Sequence, residues 1–143
     1  VSRQIPYYFP QVTVKERYGN LGRVRFNDIP LFRGYICFAL DKENHGLLYD
    51  SKKLVRIIKV DDQERFVREL EAVAKAVESE QELLVKPGLV PGKRVLILSG
   101  PLKDTEGVIV RKRKKQSLAL SVHMFNQTVL VDLDPLTDVE VLS

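Results

Sequence analysis

The chain has 143 residues, 44% of them hydrophobic and 29% charged, with a net charge of +4; that balance is globular and excludes a disordered chain. One cysteine, Cys37, excludes an intramolecular disulfide and a Cys-rich zinc site, and the two histidines, His45 and His123, lack a metal-binding spacing. No apolar run approaches the roughly 20 residues that span a bilayer and no signal peptide opens the sequence, so no membrane partner is expected and the cytosol is the expected compartment.

Along the chain, the aromatic run Tyr7-Tyr8-Phe9-Pro10 leads into a strand over Val12–Arg17. A second strand is expected over Arg33–Leu40, entered through Ile29-Pro30-Leu31-Phe32. Alternation puts Tyr35 and Cys37 on one face of it and Ile36, Phe38 and Leu40 on the other, so both faces are apolar. Either both are buried, or the Tyr35 face is a docking surface while the Ile36 face packs on a helix. In Lys42–Ser51, Leu47, Leu48 and Tyr49 favour a short helix that Gly46 opposes. Val55–Val60 is β-branched enough for a further strand.

Residues 61–79 place Phe66, Leu70, Val73, Ala74 and Val77 at helical spacing, with Asp61 and Glu64 as a capping box. Lys86-Pro87-Gly88-Leu89-Val90-Pro91-Gly92 then reads as a linker. Five short strands follow, at Lys93–Leu98, Gly107–Lys112, Ser117–His123, Thr128–Leu133 and Asp138–Leu142. Tight turns between them and no helix suggest a small SH3-like barrel, whose closure removes exposed edges.

The fold class is therefore α+β, divided as an amino-terminal layer over 1–80, a linker over 81–91 and a barrel over 92–143. No nucleophile elbow, P-loop, dinucleotide fingerprint or zinc-protease motif is present, so neither an enzyme nor a cofactor is expected. Arg111, Lys112, Arg113, Lys114 and Lys115 form a basic run at a predicted hairpin tip, which either tracks phosphates or keeps a turn soluble. It contains no aromatic residue for base stacking. Phe125, at the edge of the Asn126-Gln127 turn, is either a plug of the barrel or an exposed contact.

Two motifs carry a resemblance. Gly92-Lys93-Arg94-Val95-Leu96-Ile97-Leu98-Ser99-Gly100-Pro101-Leu102 through Glu106-Gly107-Val108-Ile109-Val110 resembles a KOW motif, and Leu118 to Phe125 resembles the stretch before Phe-Gly-Arg in NusG carboxy domains. Upstream, Pro30-Leu31-Phe32-Arg33-Gly34-Tyr35-Ile36-Cys37-Phe38 is similar to the Pro-Leu-Phe-Pro-Gly-Tyr signature of the NusG amino-terminal (NGN) domain. The chain thus resembles the NusG/RfaH family of transcription elongation and antitermination factors, and its divergent Ile5–Pro10 segment and long 61–79 helix fit the specialised RfaH-like members better.

The resemblance implies a ferredoxin-like NGN layer followed by a KOW barrel, in a monomer that binds RNA polymerase and recruits a small-subunit ribosomal protein or Rho. It places Tyr35, Cys37 and Ile58 toward polymerase, Lys52 and Lys53 toward nucleic acid, and Phe125 and Gln127 toward the recruited partner. Nothing before Tyr7 resembles the family's first strand and helix. The strands at 33–40 and 55–60 are accordingly expected to flank a vacant position in the sheet. Arg33 replaces the second Pro of the signature, and Phe125-Asn126-Gln127 replaces Phe-Gly-Arg with the loss of a cation. The alternative reading is a KOW-type RNA-binding or ribosome-associated module.

Overall fold

Short antiparallel strands dominate the computed structural model, which describes residues 7–39 and 56–142. With one helix among the described residues and strands in three sheets, the architecture is α+β. Two compact units divide the chain, Val1–Lys59 and Val60–Ser143. The boundary therefore precedes the helix, whereas the sequence suggests one over 81–91.

In the amino-terminal unit, β1 (Tyr7–Tyr8), β2 (Gln11–Tyr18), β3 (Arg23–Pro30) and β4 (Cys37–Phe38) form two separate ladders. The β2–β3 hairpin pairs Gln11 with Pro30 at one end and Tyr18 with Arg23 at the other. β1 pairs with β4, Tyr7 opposite Phe38 and Tyr8 opposite Cys37. Among the described residues of this unit Pro10, Leu31 and Phe32 are buried, and Leu31 N–H donates to the Pro10 carbonyl at 2.9 Å.

The strand expected over Arg33–Leu40 shrinks to two residues. Gly34, at φ 85°, adopts the left-handed backbone that Cβ-bearing residues avoid, and Tyr35 N–H turns back to the Phe32 carbonyl at 3.3 Å. Residues 56–60 form no strand, so the expected pair of strands around a vacant position is not formed. The helix considered within 42–51 lies outside the described residues.

The carboxy-terminal unit begins with α1 (Gln63–Glu78). Its N-cap is Asp62, one residue later than the sequence suggests, and the Asp62 carboxylate accepts from Arg65 N–H at 3.1 Å. Six strands follow: β5 (Leu83–Pro87), β6 (Arg94–Ile97), β7 (Glu106–Lys112), β8 (Lys115–Val122), β9 (Gln127–Asp132) and β10 (Val139–Val141). They form one antiparallel sheet in the order β10-β6-β7-β8-β9-β5. The five strands expected after the linker are all present.

β5 is the surprise, because it occupies the supposed linker. Pro87 does not prevent it: β5 is an edge strand paired only with β9, and Pro87 closes its end opposite Gln127. Among the described residues no ladder joins β5 to β10, so the expected closure by hydrogen bonding does not occur.

β8 is flanked by β7 and β9 and also carries α1. Alternation predicts one buried face for it, yet Leu118, Ala119 and Leu120 are buried in succession. In the row Leu118, Leu120 and Val122, Leu118 stands opposite Val131 of β9 and Leu120 opposite Val129, and Val95 and Ile97 of β6 are buried as well. α1 contributes Val73 and Ala76, both without solvent exposure. Phe66, Glu69, Val73 and Ala76 follow one another at helical spacing, so they share one face of α1, the face that packs along β8. The helix assigned by sequence to the amino-terminal layer thus covers the carboxy-terminal sheet.

Candidate functional site

Three sets of residues are candidates for recognition. The first is the segment Tyr35–Phe38. Tyr35, Cys37 and Phe38 are half-buried and Ile36 is 44% exposed, so neither side of the segment is sealed. Pairing in β1–β4 brings Tyr7 beside Phe38, their ring centroids 6.4 Å apart and tilted by 52°, and Tyr7 is 71% exposed. Tyr7 and Ile36 are thus the exposed apolar residues of this segment and its paired strand, with Tyr35, Cys37 and Phe38 half-buried beside them. The sequence assigns Ile36, Phe38 and Leu40 to packing on the helix; α1 packs along β8 within its own unit, and Leu40 lies outside the described residues. Burial pushes the Cys37 thiol above its ordinary range, which disfavours the thiolate. Ile58 is 43% exposed and sits outside any strand, and the strand expected to align it with Tyr35 is not formed. Lys52 and Lys53 lie outside the described residues.

The second set is the basic run. Arg111 and Lys112 end β7, Arg113 and Lys114 make the turn, and Lys115 opens β8, all five exposed. Arg113 takes a positive φ of 54° to close this two-residue hairpin. Lys112 stands directly opposite Lys115, a like-charge pairing that costs free energy unless an anion intervenes. Among the described residues Lys115 alone of the five is ion-paired, to Asp132 at 3.2 Å. If the other four cations contact single-stranded nucleic acid, the log–log salt slope is expected near about −2.8, and Lys114→Gln should flatten it by about 0.7 for any sequence. A slope that Lys114→Gln leaves unchanged would identify the run as a solubilising turn.

The third set surrounds Phe125, in the 3-10 turn His123–Phe125 between β8 and β9. The Phe66 ring of α1 meets Phe125 edge-on, with centroids 5.7 Å apart and planes at 84°. One turn further along α1, the Glu69 carboxylate accepts from His123 N–H at 3.2 Å and lies 2.5 Å from His123 Nδ1. Lys75 donates to the Lys103 carbonyl at 3.0 Å. Phe125 is thus half-buried by its own unit, and the sequence, which weighs a barrel plug against an open contact, does not reveal that α1 holds it. Asn126 takes φ 49°, and Gln127 opens β9 opposite Val122.

No group of three or more His, Cys, Asp and Glu is placed to hold a metal ion among the described residues, and none of their helices is long and apolar enough to cross a membrane. Comparison with protein-family models, with curated proteins and with solved structures finds no match to this chain.

Proposed function

We propose that this chain is a NusG/RfaH-type transcription elongation and antitermination factor: a non-enzymatic protein that docks on RNA polymerase through its amino-terminal unit and recruits a second factor through its carboxy-terminal one. In this reading the first unit is an NGN-type layer and the second contains a KOW-type, SH3-like barrel. The observation that carries it is the segment Tyr35–Phe38, whose apolar side chains are sealed on neither side and extend into exposed Tyr7. Apolar surface left in solvent usually marks a partner.

Two details of the second unit support the KOW resemblance. Gly107, inside the motif, has no room for a side chain, since a Cβ there would meet the Ala119 carbonyl oxygen at 2.7 Å. Asn126 stands where the family's Phe-Gly-Arg has glycine, and its φ of 49° lies in the left-handed region that glycine and asparagine tolerate best. Gln127, without the cation, leaves recruitment to Phe125 and its neighbours. A recruited ribosomal protein or Rho must share Phe125 with Phe66 or displace it.

The alternative, a KOW-type RNA-binding or ribosome-associated module, is favoured by the exposed Arg111–Lys115 tip. Tagged full-length chain retaining core RNA polymerase in the absence of nucleic acid supports the elongation factor. Retention of RNA or ribosomal subunits without polymerase supports the module.

A further inference from the structure

The β2–β3 ribbon presents a second recognition surface that neither motif includes. Its pleat sends Thr13, Lys15 and Arg17 of β2 and Val24, Phe26 and Asp28 of β3 to one face. Phe26 is 69% exposed, with Lys15 directly opposite it and Arg17 opposite Val24 in the next pair but one. Both cations are exposed. At the other end of this face Thr13 Oγ1 donates to Asp28 Oδ1 at 2.6 Å, which fixes the carboxylate and leaves it with acceptor capacity. The opposite face is different: Val12, Val14 and Ile29 are half-buried, and the Arg25 guanidinium lies over the Tyr18 ring at 5.1 Å.

Residues 11–30 carry four Lys/Arg against two Asp/Glu, a net +2 that is half of the chain's +4. An anionic partner with flat apolar rings complements this face better than an apolar protein surface does. Duplexes fit poorly, because an exposed Phe ring needs an unstacked base to stack on. We propose that this ribbon face binds single-stranded RNA. Phe26 stacks on one base, Lys15 and Arg17 take flanking phosphates, and Asp28, oriented by Thr13, accepts a hydrogen bond from a 2′-hydroxyl. That hydroxyl is the donor that DNA lacks. The ribbon thus differs from the Arg111–Lys115 tip, which offers charge without a stacking ring.

The test is fluorescence anisotropy of the full chain with a labelled mixed-sequence oligoribonucleotide, the DNA of the same sequence, and the duplex. Polymerase is absent, so the result is independent of the docking reading above. Phe26→Leu keeps an apolar side chain but removes the π face, and should weaken RNA binding about tenfold without changing the salt slope. Lys15→Gln with Arg17→Gln should flatten the slope by about 1.4. Asp28→Ala should narrow the preference for RNA over DNA. The proposal is overturned if RNA affinity ignores Phe26→Leu and the slope ignores the double variant, as it would if the tip were the RNA site. Equal binding of single-stranded DNA, tighter binding of the duplex, or no binding of the oligoribonucleotide would overturn it as well.

Discussion

Gly107→Ala is expected to destabilise the carboxy-terminal unit by about 3 kcal/mol, the upper end of the usual cost of overpacking. The added Cβ would lie 2.7 Å from the Ala119 carbonyl oxygen and 2.8 Å from Leu118 Cδ1. Leu118 and Ala119 are buried in β8, which is held by ladders to β7 on one side and β9 on the other, so the Ala119 carbonyl oxygen cannot retreat without disturbing the ladder and the Leu118 side chain must shift within a buried site. In a unit of this size the loss corresponds to a fall in Tm on the order of 10–20 °C. Gly100→Ala is the control: nothing lies within 4 Å of a Cβ there, and the only cost is its φ of 82°. Equal melting of the two variants would show that the sheet around Gly107 is looser than it stands here.

Val73→Asp is expected to cost about 3–5 kcal/mol and to lift α1 from the sheet. Val73 has no solvent exposure and sits between Phe66 and Ala76 on the face of α1 that packs along β8. Lys75, two residues along and on the other side of the helix, is committed to the Lys103 carbonyl. Circular dichroism and thermal melting read the effect. The same geometry predicts that a fragment of residues 60–143 folds while one of residues 92–143, which lacks α1 and β5, does not. A stable 92–143 fragment would place the unit boundary where the linker composition suggests it.

These two expectations mark what the sequence makes legible and what it hides. Strands β6 to β10 are readable because they are short β-branched or alternating runs separated by turn-forming stretches such as Ser99-Gly100-Pro101, Asn126 and Asp134-Pro135, and α1 because its apolar residues recur at helical spacing. The packing of α1 is hidden, since periodicity says which face is buried and nothing about what buries it. The cover of Phe125 is hidden for the same reason, coming from Phe66, 59 positions earlier in the chain. β5 is masked by Pro87, a breaker in an inner strand and harmless at the end of an edge one. β3 is masked by its charges: Arg23, Arg25 and Asp28 disguise an alternation in which Val24 and Phe26 share a face. Arg33–Leu40 errs the other way, where an apolar run conceals the turn that Gly34 makes.

At the candidate site, sequence alone singles out Tyr35 and Cys37, and the structure adds Tyr7, Ile36 and Phe38. Tyr7 joins through the β1–β4 ladder, a pairing between residues 31 apart that no local pattern announces. The five-cation tip is legible throughout, because mutual repulsion leaves a hairpin turn as its natural place. Its ion pair between Lys115 and Asp132 is a cross-strand neighbour relation that appears only once β8 and β9 are in register.

The most direct measurement is the affinity of core RNA polymerase for the full chain and for Tyr35→Asp, with the melting temperature of each recorded alongside. Tyr35 is half-buried and its N–H bond to the Phe32 carbonyl is a backbone bond that the substitution keeps. A carboxylate on a surface from which the partner must exclude water should weaken binding by roughly 30-fold or more, the scale of a docking hot spot, while the melting temperature changes little. Unchanged polymerase affinity, or a Tyr35→Asp variant that binds weakly only because it has unfolded, would contradict the assignment of this segment as the polymerase-docking surface.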